Sequence, residues 1–119
     1  MRAKIQSYED GIVKIYSISN IAEPGEMPKE GLTSKVGPLP FDERTVGMNR
    51  FWTAMQESAR IDLVLRVPQI RTVSIHDVAI VFGEQYDIKQ IQYPKDVEPP
   101  SMDLSLQQLA VKYEFGGVP

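Results

Sequence analysis

The chain contains no cysteine and a single histidine, His76. The first absence removes disulfides, thiolate nucleophiles and zinc–thiolate sites together, and it suits a reducing compartment. The second removes every site that needs two imidazoles, His-x-x-x-His zinc sites among them. No apolar run approaches the ~20 residues of a membrane span, and Met1-Arg2-Ala3-Lys4-Ile5 lacks the apolar stretch of a signal peptide. Synthesis and retention in a cytoplasm is the expectation, with no membrane partner. Positive charge is not in excess: 13 Lys and Arg against 16 Asp and Glu leave a net charge of −3. The basic footprint that dominates nucleic-acid affinity is therefore missing.

Catalytic signatures are absent as well. Gly25, Gly31 and Gly37 do not fall at phosphate-loop spacing, and no Gly-x-Gly-x-x-Gly follows a strand. Ser74 and His76 would share a strand face with Asp77 pointing away, so the three make no local triad. An exposed or satisfied histidine at a strand edge is the simpler reading. Asp42, Glu43, Asp62, Asp77, Asp87, Asp96 and Asp103 are scattered and read as a solvated surface. No catalytic residue, metal ligand or cofactor is expected, and binding or assembly is what remains.

What is present is β-pattern. At 119 residues with 42% hydrophobic and 24% charged content, the chain fits one folded domain rather than a disordered one. Val78–Phe82 and Tyr86–Tyr93 are two β-prone runs separated by Gly83-Glu84-Gln85, which predicts a hairpin with a positive φ at Gly83. In the second run Tyr86 and Ile88 share one face while Ile91 and Tyr93 share the other. A bulge near Lys89-Gln90 would cause that change of phase. Asp10-Gly11 predicts an earlier hairpin joining 3–8 to 12–18. Residues 60–67 alternate, with Ile61, Leu63, Leu65 and Val67 on one face and Arg60, Asp62 and Arg66 on the other, up to Pro68.

Residues 20–40 have a different texture. Four prolines and three glycines argue against a central strand, and a loop of this length is uncommon unless functional or disordered. It carries spaced apolar residues, so it is read as a protruding interaction arm: Ile21, Pro24, Gly25, Glu26, Met27, Pro28, Lys29, Gly31, Leu32, Val36 and Leu39. A solvated surface loop is the alternative. Met48, Phe51, Trp52, Met55 and Ala59 recur at helical spacing and predict an amphipathic helix over about 46–59, capped by Thr45. Residues 94–100 read as an exposed proline-rich connection. A last strand is predicted over about 104–115, with a second phase change near Gln107-Gln108, and 116–119 as a frayed tail. The expected fold is mainly β: a small antiparallel β-barrel of about six strands, with one amphipathic α-helix and a long Pro/Gly-rich loop, in a single domain over 1–119.

The series Gly83-x-x-Tyr86-x-Ile88-x-x-Ile91-Gln92, then Asp96, Pro99 and Leu104-x-Leu106, resembles the C-terminal half of the head-tail joining proteins of tailed bacteriophages. These are also called head closure, head completion or head-tail adaptor proteins. Upstream, Arg44-Thr45-Val46-Gly47-x-x-Arg50-Phe51-Trp52 resembles a subgroup from phages of low-GC Gram-positive hosts. The likeness covers about residues 41–110. It implies a structural virion protein, assembled in the bacterial host cytoplasm and located in the neck. It implies a homo-oligomeric ring, of about twelve copies on that resemblance. The portal or connector would lie on the head side and a tail terminator or tail protein on the other. Packaged double-stranded DNA would pass through without specific binding and be retained. Two rivals stand beside it: another neck, minor capsid or tail terminator protein, and an OB- or SH3-like module binding nucleic acid or peptide. The second would use Tyr86, Lys89, Tyr93 and Lys112.

Overall fold

The computed structural model describes residues 4–44 and 61–116. The helix expected over 46–59 lies outside the described residues, as do Val46, Gly47, Arg50, Phe51 and Trp52 of the family-like series.

Among the described residues nine strands follow in chain order: β1 (Lys4–Ile5), β2 (Gly11–Asn20), β3 (Glu30–Arg44), β4 (Leu63–Pro68), β5 (Val78–Val81), β6 (Glu84–Gln92), β7 (Val97–Glu98), β8 (Ser101–Gln108) and β9 (Glu114–Phe115). Six of them pair in the order β2-β5-β6-β8-β4-β3, and β3 pairs again with β2. The sheet thus closes on itself as a ring, and all pairings within the ring are antiparallel. Closure removes the two long free edges that an open six-stranded sheet would expose.

Each ring strand sends residues to one core: Val13 and Ile15, Leu39 and Phe41, Leu65 and Val67, Ala79 and Val81, Ile88, and Met102, Leu104 and Leu106. Tyr86 and Ile91 are half-buried against it. The alternation expected in 60–67 is present over β4, where Leu65 and Val67 point in with Leu63 beside them while Arg66 takes the other face. The bulge expected near Lys89-Gln90 is present as a register shift between Ile88 and Gln90, which lets Ile88 and Ile91 both meet Leu106 and Leu104.

Several expectations are corrected. Residues 30–44 are a strand, not part of a loop. Pro38 is accommodated because the pairing breaks around it, whereas Pro40 stays in register with Ile12: Val13 faces Leu39 but Ile15 faces Val36, and Tyr16 faces Ser34. Gly37-Pro38 and Lys35 are the extra residues, so Pro38 sits where no ladder bond is required. The bulges also scramble the period of two, which is why Val36 and Leu39, three apart, both turn inward. The loop proper is only 21–29. The 78–93 hairpin turns on two residues, Phe82 and Gly83, both at positive φ (51° and 78°), rather than on three. Of the expected partner strand 3–8, the described residues 4–8 do not pair with β2. Instead β1 runs parallel to β7, inside the segment expected to be irregular. The last strand is interrupted, with β8 and β9 separate and β9 parallel to β3. Gly116 is not frayed, for its N–H donates to the Leu32 carbonyl at 2.8 Å.

Candidate interaction surface: the arm and its strap

β5 pairs with β2 only from Val13 to Tyr16. Beyond that point β2 and β3 continue together, Ser17 to Asn20 against Thr33 to Glu30, as a hairpin that leaves the ring. The segment read as a loop arm is thus a strand ribbon with a short tip. Its residues differ in burial. Leu39 belongs to the ring core and Leu32 to a second cluster, whereas Pro24, Gly25, Glu26, Met27, Pro28 and Lys29 are exposed at the tip. Ile21 and Val36 are half-buried. Met27 is an apolar side chain left 87% exposed. The tip is closed by Asn20, whose Oδ1 accepts from the Ala22 and Lys29 amides at 3.0 and 3.1 Å. Satisfying two loop amides with one short side chain is what asparagine does well in turns.

The second cluster lies on the outer face where arm and ring meet: Tyr16, Leu32 and Val78, with Ile18, Ile80, Leu109 and Tyr113 packed around them. Its cover is the chain's own C-terminal segment, a strap formed by 109–116. Gln85, itself buried, holds the strap by its backbone: Nε2 donates to the Tyr113 carbonyl at 2.9 Å and Oε1 accepts from the Tyr113 N–H at 2.8 Å. Phe115 meets the edge of the Tyr16 ring with centroids 5.4 Å apart. Ile21 packs against both Gly31 and Gly116, so closely that a methyl group on either glycine would collide with it. Lys29 and Glu114 close the far side with an exposed ion pair of 2.6 Å.

On the opposite flank, the outer faces of β4 and β8 carry a second polar arrangement. Asp42, Arg66 and Asp103 stand directly opposite one another across three strands. Arg66 grips Asp103 bidentately, Nε to Oδ1 at 2.7 Å and Nη2 to Oδ2 at 3.0 Å, with both side chains buried. Gln6 accepts from Arg66 Nη1 and donates to Asp42, and Tyr8 shares a hydrogen bond of 2.6 Å with Ser101. The charged row thus anchors the N-terminal segment to the ring. The Asp103 bonds raise the Arg66 pKa against the opposing effect of burial. For Asp42, burial works toward a higher pKa, but hydrogen bonds with Gln6, Asp10 and Arg44 outweigh it and the net shift is downward.

Asp77 and Asp103, expected on a solvated surface, are both buried. Asp77 accepts from the Ser74 amide at 2.9 Å and from Lys35 at 2.7 Å, so the bulge in β3 aims Lys35 at the turn before β5. His76 is exposed, and its backbone N–H donates to Ser74 Oγ at 3.2 Å in the same turn. Among the described residues no group of three or more His, Cys, Asp or Glu side chains is placed to hold a metal ion, and no helix is long and apolar enough to cross a membrane.

The family-like residues within the described part serve mainly as framework. Ile88, Leu104 and Leu106 fill the core, Tyr86 and Ile91 lean on it, Gly83 completes a turn, and Asp96 takes a positive φ of 60° ahead of β7. Arg44 is exposed at the end of β3, 3.4 Å from Asp42. The strap, the Gln85 clamp and the Arg66 row were missed in the sequence. Arg66 and Asp103 lie on regular strands, but only register puts them opposite one another. No protein-family model and no curated protein matches the chain.

Proposed function

We propose that the chain is a structural component of a tailed-phage neck. In this reading it is a small β-barrel that assembles into a homo-oligomeric ring. It joins the portal or connector of the DNA-filled head to the tail and helps retain packaged DNA, without catalysis. The observation that carries the reading is the arm: a closed ring of strands from which the β2–β3 hairpin continues outward, ending in an exposed tip with Met27 uncovered. A closed sheet offers few places for a neighbour to dock, so a projecting ribbon is the natural contact. The net charge of −3 suits a conduit that must not adhere to phosphates.

The oligonucleotide-binding rival has less to stand on. Arg71 covers the Tyr93 ring at 3.8 Å, Tyr86 leans on the core, and Lys89 and Lys112 are paired with Asp87 and Glu84 at 3.7 and 3.2 Å. All four of its candidate contacts are already engaged.

The test is negative-stain imaging and native mass spectrometry of the protein alone and mixed with a tailed-phage portal complex. Rings seated on the portal are expected, and Met27→Asp at the tip should abolish them while leaving the circular dichroism of the sheet intact. A chain that never associates with the portal at any concentration overturns the reading.

A further inference from the structure

The strap has the properties of a ligand in a receptor site. Among the described residues it supplies nothing to the ring core, and its covered residues contact the outer face of the arm and of β5 and β6 at its base. Its ladder with β3 is two residues long, Gly31 with Glu114 and Leu32 with Phe115. Most of its recognition comes instead from a side chain reading backbone, Gln85 on Tyr113, and from the close fit of Ile21 over Gly31 and Gly116. The tether back to β8 is short. Leu109 donates to the Gln85 carbonyl at 3.0 Å, and Ala110, Val111 and Lys112 are exposed.

From this we propose that the strap is exchangeable, and that the site formed by the β3 edge, Gln85, Tyr16 and Ile21 accepts residues 113–116 of a second copy of this chain. The site is specific for an extended Tyr-Glu-Phe-Gly segment. Phe115 would meet Tyr16, Gly116 would lie under Ile21, and Glu114 would reach Lys29 as they do within one chain. Because the same contacts form in either arrangement, exchange costs only the reorganisation of 109–112 and the entropy of association. A short tether holds its own strap at an effective concentration in the millimolar range, so exchange appears as chain concentration approaches that range or when copies are held side by side. The contact is head to tail, strap of one copy to arm of the next, and so permits rings as well as pairs. It stands whether or not the chain serves a phage neck.

The absence of cysteine makes the test direct. Lys29→Cys is placed in one full-length chain and Glu114→Cys in another, at two exposed positions whose side chains touch across the site. The two are mixed at about 1 mM and joined with a short bismaleimide. The expected result is a mixed Lys29→Cys/Glu114→Cys dimer at least tenfold more abundant than either like-with-like dimer. Adding Phe115→Asp to the Glu114→Cys chain should lower that yield at least tenfold. Like and mixed dimers in statistical proportion overturn the proposal. So does the absence of dimers when a single chain carrying both cysteines closes efficiently on itself. The unsubstituted chain gives a second reading by native mass spectrometry: a dimer that grows with concentration and is lost in Phe115→Asp supports exchange, and a monomer throughout overturns it.

Discussion

Gln85 treats Tyr113 as a strand partner, with its side-chain amide bonding both the N–H and the C=O of that one residue at 2.8 and 2.9 Å. A planar amide offers one donor and one acceptor at the spacing a backbone presents, and burial removes the water that would compete. Gln85→Ala leaves both strap groups unmet, each a loss of about 1–3 kcal/mol if it stays buried. Hydrogen exchange at the Tyr113 and Gly116 amides should accelerate tenfold or more, while the amides of β8 keep their protection. Unchanged exchange at Gly116 would show that the clamp does not hold the strap.

The Arg66–Asp103 pair is buried and bidentate, so removing one member strands the other charge. Asp103→Ala is expected to lower the unfolding free energy by about 3–5 kcal/mol, read from urea denaturation. Arg66→Met with Asp103→Leu should recover much of that loss, because an apolar pair of similar volume needs no hydration. A double variant as unstable as the single one would mean that Gln6, Tyr8 and Asp42 depend on the charges themselves.

Stability should fall at both ends of the pH scale, through different groups. Burial first, then the charges of Glu84, Asp62 and Glu43, raise the Tyr86 pKa above its usual value of 10.0. A raised pKa means that the folded chain keeps the phenol proton longer than the unfolded chain. Its contribution is complete below about pH 10 and disappears as the pH climbs through the folded value. Asp42 has the opposite shift, so its contribution is present above the ordinary value of 3.8 and lost as pH falls through the depressed one. Urea midpoints across pH should show Tyr86→Phe flattening the alkaline limb and Asp42→Asn the acid limb. Parallel curves for variant and parent would refute the assignment.

Phe82 holds a bulky side chain at φ 51° in a two-residue turn, 72% exposed, with its ring edge-on to Phe41 at 5.7 Å. Asparagine followed by glycine is the preferred pair for such a turn. Phe82→Asn therefore relieves roughly 1 kcal/mol of backbone strain while giving up an aromatic contact of about 0.5–1.5 kcal/mol. The melting temperature should stay near that of the parent, in contrast to Phe41→Ala, which empties the core and costs about 3–5 kcal/mol. A large loss in Phe82→Asn would show that the exposed ring contributes far more than its one contact accounts for.

Local pattern determined a good deal of this molecule. The strands of the 78–93 hairpin, the positive φ at Gly83, the bulge between Ile88 and Gln90 and the inward face of Leu65 and Val67 follow from β-propensity and a period of two, which neighbouring residues alone express. Only the tertiary structure decided that 30–44 is a strand, because its bulges at Lys35 and Gly37-Pro38 make sense only against β2. It likewise decided that Arg66 meets Asp103 and that Gln85 seizes Tyr113. Those contacts depend on register between strands far apart in sequence, and register is fixed by the closing of the ring rather than by any run of adjacent residues.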